Sequence, residues 1–265
     1  MKTIFITGAS TGLGNATARL FAANGWKVIA TMRQPEMATE LAGLNNVILL
    51  PLDVTDPEQI TNTAATAIGM GEIDLVFNNA GYGLTGSLEA TTDEQILRQF
   101  NTNLLGVIRT TKAFIPHFRS KGSGLFISTS SIGGLVSFPL NSIYHATKWA
   151  LEGWSESMAF ELKRFGIGIK TVSPGGIATD FTGRSLDQAR HEAYDGLLSQ
   201  VMNAFADVFS FSTPDQIAAV VYEAATDGKD QLRYLAGEDA KQIYEQRLRL
   251  GAEAYHKNVD QLIFG

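Results

Sequence analysis

Almost from its first residue, the chain alternates between short β-branched or apolar runs and longer segments whose apolar positions recur at helical spacing. "TIFIT" at Thr3–Thr7 is followed by Leu13, Ala16, Thr17, Leu20 and Phe21, which share one helix face. The pattern repeats through "KVIATM", "VILLPL", "DLVFN", "GLFIST" and "GIKTV", the last leading into a less regular stretch. Strands joined by helical crossovers run parallel and bury both faces, so the fold class is α/β: a doubly wound parallel sheet with helices on both sides. Six strands are predicted this way, with "LRYL" (232–235) as a seventh.

Helix signals agree with this frame. Thr91 with Glu94, and Thr92 with Gln95, both fit a capping box, and Ile96, Phe100, Leu104, Ile108 and Thr111 then trace one face of a long helix. No Pro/Ser/Gly-rich linker, repeat or low-complexity segment interrupts the chain, so one domain over residues 1–265 is expected, with a substrate-loop region around 181–212. Net charge is -6 and no basic run appears, which disfavours nucleic acid as a partner. The absence of cysteine excludes disulfides, thiolate metal sites and a cysteine nucleophile; no metal site is expected. No targeting segment or apolar run of membrane-spanning length is read, so a cytoplasmic location without a membrane span is the expectation.

The turn after the first strand, "ITGASTGLGNATARLF", carries Gly8, Gly12 and Gly14. Glycine lets backbone approach a ligand without an intervening Cβ, and the N–H groups at the start of the following helix suit an anion. The spacing excludes a Walker A loop, because Leu13 and Gly14 stand where glycine and lysine would be needed. Strand, glycine turn and amphipathic helix at the head of an alternating series form the context of a dinucleotide-phosphate site.

Four motifs, "TGASTGLG", "NNAG", "YHATK" and "SPGGIAT", resemble in order and placement those of the short-chain dehydrogenases/reductases, in their compact single-domain branch. The resemblance covers nearly the whole chain and implies a seven-stranded Rossmann-like sheet. It also implies a nicotinamide cofactor and interconversion of a carbonyl and an alcohol. "LRYLAGEDA" is similar to the hydroxysteroid and retinol dehydrogenase-like group, which implies a lipophilic small-molecule substrate. Members of the family are usually homodimers or homotetramers.

Tyr144 and Lys148 stand four positions apart in "SIYHATKWALEGW" and share a helix face. Reduction of a carbonyl needs a proton for the developing alkoxide, and a phenol can supply it. A free phenol has a pKa of about 10, and a nearby ammonium or a positively charged nicotinamide lowers it towards use as a base. By resemblance, Ser131 is the catalytic serine that holds the substrate oxygen, with Ser128 and Ser130 as alternatives. Lys148 also holds the nicotinamide ribose, and Asn103, followed by Gly106, organises a proton relay, with Asn101 as its competitor.

The cofactor set implied by the same resemblance comprises the loop residues Gly8, Ser10, Thr11, Gly12, Leu13 and Gly14, then Asp53 and Val54 beside the adenine. Asn79, Ala80 and Gly81 border the adenosine ribose; Tyr144 and Lys148 stand at the nicotinamide end with Pro174, Gly175, Ile177 and Thr179. The second strand ends in Met32 and Arg33, where an acid would bind a ribose 2′-hydroxyl. A guanidinium there suits a 2′-phosphate, so NADP(H) is expected in preference to NAD(H), with Arg33 as the clamp. Tyr82, Val136 to Leu140, Phe181, Phe205, Phe209 and Phe211 are candidates for an apolar substrate pocket, with ordinary helix packing as the competing reading for the phenylalanines. A non-enzymatic dinucleotide sensor and a sugar-nucleotide epimerase of the extended branch are the alternative functions. The intact serine, tyrosine and lysine set weighs against the first, and the chain length and glycine loop against the second.

Overall fold

The sheet can be followed strand by strand in a computed structural model that describes residues 1–178 and 186–265. In chain order the elements begin β1 (Thr3–Thr7), α1 (Gly12–Ala23), β2 (Lys27–Met32), α2 (Thr39–Ala42), β3 (Val47–Pro51), α3 (Pro57–Gly69) and β4 (Leu75–Asn78). They continue with β5 (Gly83–Gly86), α4 (Asp93–Phe100), α5 (Gly106–Lys121), β6 (Gly124–Thr129), α6 (Ser142–Leu162) and β7 (Ile167–Pro174). The last are β8 (Leu186–Ala189), α7 (Asp195–Val208), α8 (Pro214–Thr226), β9 (Arg233–Ala236), α9 (Glu238–Leu250) and α10 (Ala252–Phe264).

Seven strands pair in the order β3-β2-β1-β4-β6-β7-β9, all parallel, so the expected sheet is present and the seventh strand begins one residue later than the sequence pattern suggests. β1 is buried along its whole length, as a central strand covered on both faces must be. Its alternating side chains feed two cores: Ile4 and Ile6 face Phe21, Trp26 and Val221, whereas Phe5 faces Phe114, Phe118 and Phe126. A third apolar cluster joins Ile132, Leu135 and Val136 to Ile243, Tyr255 and Val259 of the last two helices. Among the described residues, no helix is long and apolar enough to cross a membrane.

Helix α4 opens on the Thr92–Gln95 capping box. The competing Thr91 instead donates its hydroxyl to the Ser87 carbonyl, 2.9 Å away. The long helix predicted through Thr111 is present as unbroken helical backbone whose pitch changes once. A π-turn at Asn101–Leu105 separates α4 from α5, and the Gly106 N–H donates to the Asn101 carbonyl. Gly106 sits so close to the end of β3 that an added Cβ would lie 2.9 Å from the Val54 carbonyl oxygen.

Two further departures concern short or polar elements. β5 and β8, "GLTG" and "LDQA", form a separate two-stranded parallel ribbon. The stretch read as irregular also contains the 14-residue helix α7.

Candidate active site

Strand order reverses between β1 and β4, and at such a switch point the loops leaving the strands open a crevice. The glycine turn after β1 lies there. Gly8 has φ 67°, and a Cβ on it would come 2.8 Å from the Ala80 Cα. A Cβ on Gly14 would sit 2.2 Å from the Gly8 carbonyl oxygen and 2.5 Å from Asn79 Nδ2. Asn79 stitches this turn to β4: its Nδ2 donates to the Gly8 carbonyl at 2.9 Å, while its N–H and that of Ala80 donate to Thr7 Oγ1 at 3.0 and 3.1 Å.

Helix α1 has no side-chain hydrogen bond at its cap, Thr11, and no acidic residue in its first turn. Its N-terminal N–H groups therefore suit a phosphate, with Ser10 and Thr11 exposed beside them and Leu13 buried behind. Arg33 is exposed at the end of β2, adjoining the glycine turn through the Ala9 N–H to Thr31 carbonyl bond of 2.9 Å. Asp53 folds back on its own turn, Oδ1 accepting from the Thr55 N–H at 2.9 Å and hydroxyl at 2.7 Å. Val54 is buried behind it. The residues of the turn, Arg33, Asp53 and Asn79 to Gly81 thus gather at one sheet edge, as a dinucleotide requires.

The other half of the crevice holds the polar side chains. Tyr144 and Lys148 project from α6, with Nζ 5.8 Å from the phenol ring centroid and donating to the Thr129 carbonyl at 2.8 Å. Ser131 follows β6; its hydroxyl oxygen accepts the Gly133 N–H at 3.0 Å, and its hydroxyl lies near enough to Tyr144 to favour the ionised phenol. The alternatives Ser128 and Ser130 are buried, with hydroxyl oxygens that find no partner among the described residues. Asn103 is buried in the π-turn, where its amide donates to the Tyr82 carbonyl at 2.9 Å and accepts the Tyr82 N–H at 3.1 Å. Asn101 lies on the same turn.

Electrostatics depart from the simple expectation of an activated phenol. Burial pushes the Tyr144 hydroxyl up to about 12, the contact with Ser131 acting the other way. Burial also pulls Lys148 down to about 8, against the opposing influence of Glu152. Lys148 still carries its charge at neutral pH, but burial outweighs it at the phenol, which without a bound cofactor keeps its proton.

Pro174, Gly175 and Ile177 lie where the chain leaves β7; Thr179 and Phe181 lie outside the described residues. Three buried groups here had no distinct sequence signal beyond their motifs. Asp239 of α9 accepts the Gly176 N–H at 2.7 Å. Glu152, one turn after Lys148, accepts from Ser173 Oγ at 2.9 Å and pairs with Arg233 Nε at 3.0 Å. His145, next to Tyr144, is also buried.

The suggested pocket residues divide. Phe205 and Phe209 pack edge-to-face on Phe138, with centroids 5.3 and 5.6 Å away, and Phe138 and Phe209 adjoin the third core cluster, so helix packing explains much of their burial. Tyr82 is turned to α4, its hydroxyl accepting from Arg98 Nε at 3.2 Å, and Arg98 also pairs with Asp187 of β8. Val136 is buried, while Leu140 adopts the left-handed φ of 59° and accepts the Gly86 N–H at 2.7 Å.

Comparison with known proteins agrees with this architecture. The family model described as short chain dehydrogenase matches residues 2–190. Retinol dehydrogenase 8 of Bos taurus is 33% identical over 217 residues, covering 78% of this chain and 69% of that protein. A short-chain dehydrogenase from Streptomyces avermitilis superposes with a TM-score of 0.85 at 34% identity, over 94% of this chain and 92% of that one. ElxO with NADP bound superposes with a TM-score of 0.75 at 28% identity, over 88% of this chain and 97% of ElxO. By sequence, by sheet order and by the glycine turn at the switch point, this chain belongs to the short-chain dehydrogenase/reductase family of oxidoreductases.

Proposed function

We propose that this protein is an NADP(H)-dependent oxidoreductase that interconverts a lipophilic ketone or aldehyde and the corresponding alcohol, with Tyr144 as the general acid/base. The carrying observation is the convergence of the Ser131 hydroxyl, the Tyr144 phenol and the Lys148 ammonium beside a glycine turn whose close approaches leave no room for Cβ atoms. That turn and the uncapped start of α1 fit a pyrophosphate. Arg33 would hold the 2′-phosphate, Asp53 and Val54 the adenine, Asn79 to Gly81 the adenosine ribose, and Lys148 the nicotinamide ribose. Pro174, Gly175, Ile177 and Thr179 would frame the nicotinamide. The bound reduced nicotinamide supplies the hydride.

The protein's own work is at the carbonyl oxygen. Ser131 Oγ already accepts the Gly133 N–H, which leaves its proton for donation to the substrate oxygen. Tyr144, kept protonated by burial, hands its proton to the developing alkoxide. This protonation state is the one that the reduction step requires. Asn103 supports proton resupply from the π-turn, with its amide held on the Tyr82 backbone. The chain acts as one domain, and the exposed Leu97, Trp149 and Phe160 on α4 and α6 support a homodimer or homotetramer through the helices bearing Asn103 and Tyr144.

The test is oxidation of NADPH and of NADH with 4-nitrobenzaldehyde, decan-2-one, 2-decalone and all-trans-retinal, followed by the reduced-nicotinamide absorbance. Turnover of at least one carbonyl with NADPH is expected, as is a roughly hundredfold or greater loss in Tyr144→Phe with NADPH binding retained. No turnover despite measured NADPH binding, or undiminished turnover by Tyr144→Phe, would overturn the proposal.

A further inference from the structure

We infer that His145 is a positioning residue that sets the direction of the Ser131 hydroxyl; this rests on the reductase reading above. The imidazole is 7% exposed and spans the loop between β6 and α6 from inside. Its Nδ1 lies 2.6 Å from the Gly133 carbonyl oxygen, and its Nε2 accepts the Phe138 N–H at 2.9 Å. A backbone N–H can only donate, so Nε2 carries the lone pair, and Nδ1 carries the proton given to Gly133. One neutral tautomer therefore satisfies both ring nitrogens.

The link to the reacting oxygen runs through Gly133. Held by His145 at its carbonyl, this residue donates its N–H to Ser131 Oγ at 3.0 Å. That bond occupies one lone pair of the serine and directs the hydroxyl proton away from Gly133, towards the crevice where Tyr144 stands. The packing is specific to a histidine facing a glycine: a Cβ on Gly133 would come 2.9 Å from His145 Nδ1 and 3.3 Å from Ser131 Oγ. Losing the imidazole frees the 133–134 peptide to rotate; the two peptides share the Gly133 Cα, so the 132–133 peptide loosens with it and the serine becomes free to turn its proton inward. The consequence is a loss in kcat carried by Ser131, with little change at the distant cofactor-phosphate turn.

A double-mutant cycle tests this with NADPH and the carbonyl of the above panel that the unmodified protein reduces fastest. His145→Leu is expected to lower kcat about tenfold to a hundredfold with NADPH affinity within about twofold. The same change in a Ser131→Ala background is expected to cost less than about threefold, because the group it positions is gone. Exchange of the Gly133 amide should also quicken in His145→Leu. Should that variant fail to fold, His145→Asn and His145→Gln decide. Asn places an amide where Nδ1 was and should retain most of the turnover; Gln places one where Nε2 was and should not. Additive losses in the cycle, or Gln matching Asn in the second comparison, would overturn the role of His145. Failure of the reductase reading has a different signature, undiminished turnover in Tyr144→Phe.

Discussion

Replacing Lys148 by methionine should make the cofactor-free protein more stable at neutral pH, because the structure buries an ammonium that no carboxylate among the described residues bonds. Nζ donates to the Thr129 carbonyl, and the charge is otherwise desolvated. Its pKa falls from 10.5 to about 8, and at about 1.4 kcal/mol per unit the charged form is disfavoured by roughly 3 kcal/mol in the folded state. Methionine keeps the apolar stem and removes that penalty, but leaves the Thr129 carbonyl without its donor, a loss of about 1–2 kcal/mol. A net gain of about 1–2 kcal/mol at pH 7 follows. Between pH 8 and 10.5 the unfolded lysine holds a proton that the folded one has released, so raising pH stabilises the unmodified protein. The advantage of Lys148→Met should therefore shrink by roughly 3 kcal/mol across that interval and reverse sign near its middle, at about pH 9. Urea unfolding of both proteins at pH 7, 9 and 10.5, followed by tryptophan fluorescence, measures the difference. A stability difference that stays constant with pH would refute the reasoning, since a mere packing change has no proton to exchange.

Arg33→Ala should weaken NADPH binding by about tenfold to a hundredfold while leaving NADH within about twofold, by fluorescence titration; equal affinities of the unmodified protein for the two would already contradict the clamp. Burial opposes ionisation of Asp227, yet the Lys229 N–H, the Tyr234 hydroxyl and Lys170 hold its carboxyl well below the ordinary value. The stability this contributes is present above the ordinary carboxylate pKa and is lost as pH falls through the depressed one. Asp227→Asn should destabilise the protein by about 3–5 kcal/mol at pH 7, since it strips buried Lys170 of its counter-charge, and should flatten the acid limb of the stability profile. Urea unfolding at pH 7 and in acid checks both parts.

The seven-stranded sheet was legible because its inner strands are buried on both faces and its strands read as short, largely apolar runs. β5 and β8 had no such signature: "GLTG" is half glycine, "LDQA" is half polar, and among the described residues they pair with each other alone. Helix α7 was in principle readable, since Leu197, Leu198, Val201, Phe205 and Val208 recur at helical spacing. The phenylalanines there drew attention to a pocket when they also serve packing. Motif order identified the residues that converge at the crevice, but not their protonation. Tyr144 and Lys148 four positions apart suggest a lowered phenol pKa, whereas the depth at which α6 seats them decides the opposite direction for the resting protein.

The tie between Asp239 and the segment after β7 makes the C-terminal part of this chain more than an appendage to the recognised region. A carboxylate oxygen occupies the space that side chains on two separate glycines would need: a Cβ on Gly175 would come 2.2 Å from Oδ1, and one on Gly237 2.6 Å. These three positions form an interlocking set drawn from both sides of the 2–190 boundary, so none can change size alone. Exchange of tails between relatives is therefore constrained at this joint: a donor tail must bring its own acid and glycine, or the recipient's Gly175 is left unbraced.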